Sequence, residues 1–386
     1  MLAIKNATVW TMAGPRLDKA GVLVEDGRII SVGIGLDIPP GADVLDATGM
    51  VVTPGLIDAH SHLGLWESCN GFEGADGNEK TDPVTPHMRG TDAFNPLDVT
   101  VGEALAAGVT CAAIGPGSAN VIGGTFAVVK TCGTRVDQMV LRDPVAMKCA
   151  FGKNPKTVYD AKGKSPSTRM AIAAVFREAM FKAQRYLAKV EAADGDSDRL
   201  PDFDMKCEAL LPVLRREIPI KAHAHRTDDL FTALRLAREF NLRITLEHVT
   251  EGALIAAELA AEGVPCIVGP SFGHRSKDEL RHKSFETPGL LHAAGVEVAI
   301  TTDSPVTPLA SLPLMAGMAV KAGMPREAAL KAITLNPARI LEVDDRVGSL
   351  EIGKDADIVI FGGDPLAMDT NVRHVFVDGQ EVTPLE

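Results

Sequence analysis

The chain contains no apolar stretch approaching the roughly 20 residues that a helix needs to cross a bilayer. Its first ten residues lack the basic start, the long apolar run and the small-residue cleavage site of a secretory signal. Basic residues are also few, because 39 Lys and Arg face 51 Asp and Glu, for a formal net charge of −12. We therefore expect a cytoplasmic protein that binds a small molecule and neither nucleic acid nor a membrane.

Long low-complexity tracts and C-x-x-C pairs are absent as well. Hydrophobic residues make up 46% of the chain and charged residues 23%, which is typical of a globular protein with a large core. Several of the six cysteines lie inside apolar segments, where a thiol behaves as a small hydrophobic group. We expect all six to be reduced and structural: Cys69, Cys111, Cys132, Cys149, Cys207 and Cys266.

Two histidines, His60 and His62, follow the apolar segment of residues 50–57. On an extended strand, residues i and i+2 point to the same face, so the two imidazole rings would project side by side. A single buried histidine is usually structural, but two neutral imidazoles held in this way suit zinc and other borderline divalent ions. The pair predicts half of a metal site.

Three later apolar segments also end in side chains that can bind a metal. They are residues 218–225, 243–248 and 296–303, which end in His223 and His225, His248, and Asp303, respectively. Ligands gather at the carboxyl ends of the strands in a closed parallel barrel, so these distant residues could converge on one ion. Asp303 could bind the ion and accept a proton from its water, or it could simply cap a turn.

The alternation of apolar strands with helical patterns between residues 54 and 345 predicts an α/β fold, a (β/α)8 TIM barrel. We place its strand ends near residues 62, 115, 131, 151, 224, 248, 269 and 303. Both termini carry short strands joined by Asp-Gly turns, at Asp26-Gly27 and Asp378-Gly379. Neither end suffices for a core alone, so residues 1–53 and 346–386 should form one small β-sandwich domain.

Two motifs show a family resemblance that covers essentially the whole chain: residues 53–62, which read TPGLIDAHSH, and residues 347–359, which read VGSLEIGKDADIV. The chain resembles the amidohydrolase superfamily of metal-dependent hydrolases, in its imidazolonepropionase-like and prolidase-like branch. The resemblance implies a His-x-His pair from strand one, a Lys or Glu from strand three or four, one His each from strands five and six, and an Asp from strand eight. It also implies a homo-oligomer.

Carried onto this chain, the resemblance implies the metal ligands His60, His62, Lys148, His223, His248 and Asp303. By spacing alone His223 and His225 are equivalent candidates for the strand-five ligand. Related sequences use the first histidine of such a pair, so the resemblance favours His223. An unmodified ammonium would repel a cation, so Lys148 could bind only after carboxylation to an anionic carbamate. Lys130 and Lys221 are rivals for this position. One or two ions, most simply Zn²⁺, are therefore expected.

Loops that follow the strands should set the specificity. The glycine-rich segment 115–124 contains Ser118 and Asn120 but lacks the ending of a P-loop. The long segment 66–98, with His87 and Arg89, could be a lid. After strand seven, His274, Arg275 and a nearby lysine could receive a carboxylate of the substrate, although a solvated basic loop is an equal alternative.

The reaction that we expect is hydrolysis of a C–N bond in an amide, a cyclic amide or a dipeptide by metal-activated water. Asp303 would transfer the proton, while His225 or His248 would stabilise the oxyanion, and His225 could also contact the substrate. Three alternatives stay open: a deaminase of an aminated heterocycle, an esterase or lactonase, and a non-catalytic scaffold of this fold.

Overall fold

The structure, a computed structural model, describes residues 1–68 and 70–382. Its strands fall into two sheets of eight strands each. In chain order the strands are β1 Leu2–Val9, β2 Leu17–Glu25, β3 Arg28–Ile34, β4 Asp43–Asp46, β5 Val51–Pro54, β6 Leu56–Ser61, β7 Val109–Ile114, β8 Ile122–Lys130, β9 Val140–Ala150, β10 Ile220–Ala224, β11 Ile244–His248, β12 Cys266–Val268, β13 Val298–Ile300, β14 Ile358–Phe361, β15 Val372–Val377 and β16 Gln380–Glu381.

Helices separate most strands of the second sheet. They are α1 Val99–Ala106, α2 Val136–Met139, α3 Lys153–Asp160, α4 Arg169–Ala193, α5 Met205–Leu214, α6 Thr227–Glu239, α7 Ala256–Glu262, α8 Thr287–Ala293, α9 Leu312–Lys321, α10 Arg326–Lys331 and α11 Leu335–Ile340. Asp98 caps α1 by accepting a hydrogen bond from Thr100 N, and Thr168 caps α4 in the same way. Within the described residues, no helix has both the length and the apolar character that crossing a membrane requires.

The sheet of β6 to β13 has its strands in chain order, which confirms the predicted α/β barrel. Each observed strand ends within three residues of its predicted end. Side-chain hydrogen bonds bring the two outer strands together, because Asp58 Oδ2 accepts from Thr302 N at 2.8 Å and from Thr302 Oγ1 at 2.7 Å. Thr301 Oγ1 also donates to His60 O at 2.6 Å. The barrel is thereby nearly closed.

One strand differs from the parallel pattern that we predicted. β8 runs antiparallel to both β7 and β9. A parallel crossover needs a dozen or more residues, whereas the connection at 115–121 contains no helix and returns the chain directly. The start of β8 therefore lies at the mouth of the barrel and its end, Lys130, lies at the opposite rim.

This reversal rules out Lys130 as a rival ligand. Its ammonium group lies 2.9 Å from Asp355, 3.0 Å from Asp357 and 2.6 Å from Asp378. Asp355 and Asp357 are buried. The four residues form an ion cluster that joins the barrel to the sheet of the termini.

The first sheet combines both termini, as predicted, in the order β16, β15, β14, β5, β1, β2, β3, with β4 beside the first half of β1. The two Asp-Gly turns are confirmed, because φ is positive at both residues of each, as a type I′ turn requires. All eight strands belong to one continuous sheet, which packs around a small core of its own. The domain boundaries given above stay a prediction.

The described cysteines are free thiols, and all except Cys132 are buried. Cys69 lies outside the described residues.

Candidate metal centre

Three predicted ligands meet at the mouth of the barrel. The potential donor atoms of His60, His62 and Asp303 all lie within 4.8 Å of one another. Asp303 Oδ1 is 3.2 Å from His62 Nε2 and 3.6 Å from His60 Nε2. Tetrahedral zinc with bonds of 2.0 to 2.1 Å has neighbouring ligands about 3.4 Å apart. The spacing of these three atoms therefore fits a zinc ion.

Both histidines present the same nitrogen to this site. His60 Nδ1 lies 2.7 Å from Glu247 Oε2, and His62 Nδ1 lies 2.7 Å from Gly115 O. Each acceptor holds a proton on Nδ1 and leaves Nε2 free to bind a metal. Burial, together with the charge of Lys148, lowers the pKa of His60 well below its usual value. His60 is therefore a neutral imidazole, the form that a metal ligand needs.

Asp303 is an anion in this environment. Burial alone would raise its pKa, but the nearby side chains of His248, His62 and Lys148 outweigh burial and lower the pKa to about 2. The φ angle of Asp303 is 52° and that of His248 is 72°, a left-handed region that side chains other than glycine seldom adopt. Such conformations are costly and concentrate at functional sites.

Of the three rival lysines, only Lys148 reaches the donor atoms. Its side chain is fully buried, and Nζ lies 2.8 Å from His60 Nε2. Burial lowers the pKa of Lys148 to about 8, although Asp303 and Glu247 oppose the shift. Lys221, its register partner on β10, pairs instead with Glu247 at 3.1 Å.

His223 and His248 form a second set of donors beside the first. Their ring centroids are 4.4 Å apart, and the His248 ring lies 5.1 Å from that of His60. His248 Nδ1 donates to Gly269 O at 2.8 Å. Within the described chain, His248 Nε2 and His223 Nδ1 are buried without a hydrogen-bond partner. Buried nitrogens are rarely left unpaired, so both fit ligation by an ion.

Three of the donor residues, His62, His223 and Asp303, line a cavity of about 450 Å³, which we call the inner cavity. Of the predicted site residues, it is lined by His62, Ser118, His223, His225, His274 and Asp303. His225 Nδ1 lies 2.8 Å from Thr250 Oγ1, and its ring stacks on that of His248 with centroids 4.9 Å apart. The predicted metal and catalytic residues are thus gathered at one place.

Four predicted substrate-binding residues lie outside the inner cavity. Asn120 is buried and bonds to Thr85 Oγ1 and Tyr159 OH. Arg275 donates to the backbone oxygens of residues 281 and 283. His87 and Arg89 line a different cavity of about 1000 Å³, the outer cavity.

One residue at the mouth, Asn154, was missed by sequence reasoning. Asn154 Nδ2 donates to Ser118 Oγ at 2.7 Å and lies 3.3 Å from His223 Nε2. Lys277 Nζ donates to Asn154 Oδ1 at 3.0 Å and lies 3.2 Å from Glu279. Asn154, in the first turn of α3, thereby links two loops to this helix beside His223. No sequence pattern marks it, whereas Lys277 lies in the loop flagged for its positive charge.

Comparison with known proteins identifies the family of this chain. The Amidohydrolase family model matches residues 213–382. The chain is 42% identical to an amidohydrolase of known structure from Thermotoga maritima MSB8, with 99% of both chains covered and a TM-score of 0.96. It is 28% identical to the Imidazolonepropionase of Maricaulis maris (strain MCS10), over 89% of this chain and 87% of that protein.

A further relative is longer than this chain. Amidohydrolase tasK of Hapsidospora irregularis is 30% identical over 97% of this chain, which spans 42% of the length of that relative. The near-complete overlap with the Thermotoga protein establishes the family. This chain belongs to the amidohydrolase superfamily, in its imidazolonepropionase-like and prolidase-like branch, which confirms the resemblance inferred from the motifs.

Proposed function

We propose that this protein is a metal-dependent hydrolase that cleaves a C–N bond in an amide, a cyclic amide or a dipeptide. The observation that carries the proposal is the meeting of His60, His62 and Asp303 within 4.8 Å beside the inner cavity. Two neutral imidazoles and a carboxylate are typical donors for Zn²⁺. Such an ion would polarise the substrate carbonyl and lower the pKa of a water molecule towards neutrality.

Asp303 is suited to move the proton. It is ionised down to about pH 2, and it lines the inner cavity while contacting His62. We propose that it accepts a proton from the attacking water and delivers it to the departing nitrogen. His225, which also lines the cavity, would hydrogen-bond the developing oxyanion. His248 lies against His225 and is assigned to the ligand set.

Lys148, His223 and His248 would complete the ligand set for a second ion. Only Lys148, among the lysines considered, is in contact with His60. A carbamate on Lys148 would supply the negative charge that this group of neutral donors otherwise lacks. We propose carboxylation of Lys148 on this ground.

The substrate that we propose carries a carboxylate. Lys277, Lys283 and His274 line the inner cavity, as His62, His223 and Asp303 do. Lys277 is balanced by Glu279, whereas Lys283 Nζ donates to the backbone oxygens of Phe272 and His274. Since the described chain offers Lys283 no carboxylate within ion-pair distance, an anionic substrate group would be attracted there.

A substrate panel tests this function. The zinc-loaded protein would be offered N-acyl amino acids, dipeptides, lactams, aminated heterocycles and esters, with products separated by chromatography and ammonia measured separately. We expect C–N hydrolysis that falls by about 10² to 10⁴ in Asp303→Asn, since a general base is lost. The exposed Asp369→Asn serves as the control.

Three results would contradict the proposal. Full activity in Asp303→Asn would refute the role of that carboxylate. Ammonia release from heterocycles alone would identify a deaminase, and turnover of esters alone would identify an esterase. A cytoplasmic location, a homo-oligomeric state and the absence of nucleic-acid or membrane partners stay predictions.

A further inference from the structure

The inner cavity has a larger neighbour. The outer cavity, of about 1000 Å³, has among its lining residues the apolar side chains of Leu65, Phe72, Met88, Pro116 and Met205. Trp66 and Asn78 line both cavities. These two side chains therefore form the partition between the metal centre and the outer cavity.

The indole of Trp66 is held in a slot between two glycines. A methyl group added at Gly77 would lie 2.1 Å from Trp66 Cζ3, and one added at Gly117 would lie 2.8 Å from Trp66 Cη2. These distances are far below van der Waals contact, so the six-membered ring fits only because both positions lack a side chain. Gly117 N also donates to Gly77 O at 2.7 Å, which fixes the width of the slot.

The same ring reaches the metal centre. The ring centroids of Trp66 and His62 are 5.2 Å apart in an edge-to-face arrangement. Asn78 completes the partition, since its Oδ1 accepts from Ala119 N at 3.0 Å. A substrate group that extends from the donor atoms towards the outer cavity would meet the indole first.

We propose that Trp66 sets the length of the substrate group that the inner cavity admits, and that removing its ring joins the two cavities into one apolar channel. The inference rests on the proposed function, because it takes the inner cavity as the substrate site. The ligands whose binding would change are those that carry a linear apolar chain on the group that binds at the metal centre. Phe72, which is 94% exposed at the rim of the outer cavity, would contact the far end of such a chain.

Binding of linear alkyl hydroxamates to the zinc-loaded protein tests the inference. Chains of two to twelve carbons would be titrated by calorimetry, since the hydroxamate group binds a divalent ion without being hydrolysed. For the wild type we expect the affinity to stop rising after a few carbons. For Trp66→Ala we expect a further rise of about fourfold for each additional methylene that becomes buried.

Two more variants keep the test decisive. Trp66→Leu retains an apolar contact for His62 but removes the ring that fills the slot, and zinc content is measured in every variant. Phe272→Ala removes an aromatic side chain from the inner cavity alone, so its limiting chain length should equal that of the wild type.

The inference is overturned if both Trp66 variants retain zinc and share the limiting length of the wild type, or if no protein in the set binds any hydroxamate. Loss of zinc in both variants would also overturn it, since Trp66 would then serve the metal centre. If the Trp66 variants bound longer hydroxamate chains than the wild type but no substrate were turned over, only the proposed function would be refuted. Turnover without this difference in chain length would remove only the inference about Trp66.

Discussion

Glu247 Oε2 lies 2.7 Å from Nδ1 of His60 and 3.1 Å from Nζ of Lys221. Thr245 Oγ1 donates to the other oxygen of this carboxylate at 2.6 Å. All four side chains are buried. Glu247 therefore holds a proton on His60 Nδ1 and directs Nε2 towards the ion site, as second partners of metal-binding histidines do.

The first prediction concerns this contact. Glu247→Gln keeps the size of the side chain but removes its charge, so we expect zinc affinity to fall by about 10-fold to 100-fold. Competition with a coloured chelator measures the change. Glu239→Gln, which alters a carboxylate paired with Arg177 at the surface, is the control. Equal affinity in Glu247→Gln and the wild type would show that the carboxylate does not orient His60.

The second prediction concerns Lys148. If the lysine bears a carbamate, the wild type prepared without chelators and supplied with ¹³C-bicarbonate should give a carbamate signal by NMR and bind two ions per chain. Lys148→Met should lose the signal and at least one ion, because the neutral donors His223 and His248 cannot offset the charge of a cation. A wild type with one ion and no carbamate signal would eliminate the two-ion site.

A third prediction concerns the ion cluster at the opposite rim. Lys130→Met leaves the buried Asp357 without its cation, whereas Asp355 keeps Arg28 and Arg346, and we expect a loss of about 3 to 5 kcal/mol in the free energy of unfolding. Urea unfolding followed by circular dichroism measures it.

Lys331→Met is the matched control for that variant. Its ion pair with Glu327 is at the surface, so the change should be below about 0.5 kcal/mol. If the two variants had the same free energy of unfolding, the ion cluster would not stabilise the packing of the two sheets against each other.

Most strand ends could be predicted from the sequence because an apolar run stops near a polar residue or a glycine, as at His248, Asp303 and Gly115. The direction of β8 could not, because a strand buried on both faces reads as a continuous apolar run whichever way it points. Asn154 and Trp66 were missed for another reason. Their roles depend on contacts between segments that are distant in sequence, and no local pattern encodes such contacts.

The fourth prediction is a pH dependence at the start of α5. Asp204 accepts hydrogen bonds from Lys206 N and Cys207 N, both at 3.0 Å. The hydrogen bond from Lys182 and these backbone bonds lower its pKa to about 2. Since an unfolded aspartate has a pKa near 3.9, the stabilisation is complete above about pH 4 and is lost as the pH falls towards 2.

Asp204→Ala should therefore lower the free energy of unfolding by about 1 kcal/mol at pH 7, and the difference should shrink at pH 3. Asp204→Asn retains a capping oxygen, so its free energy of unfolding should fall less at pH 7. The difference from the wild type should also depend less on pH than that of Asp204→Ala. Urea unfolding at both pH values distinguishes the three proteins. If Asp204→Ala lowered the free energy of unfolding by the same amount at pH 3 and pH 7, the ionised carboxylate would not be the source of the stabilisation.

The most direct test of the whole account is the metal content of the His60→Ala/His62→Ala double variant, measured by inductively coupled plasma mass spectrometry. A double variant of two histidines outside the site, His292→Ala/His374→Ala, is the control, and circular dichroism verifies folding. We predict that the wild type and the control carry one or two divalent ions per chain and that the folded His60/His62 variant loses at least one of them. An unchanged metal content in that variant would contradict the assignment of the centre.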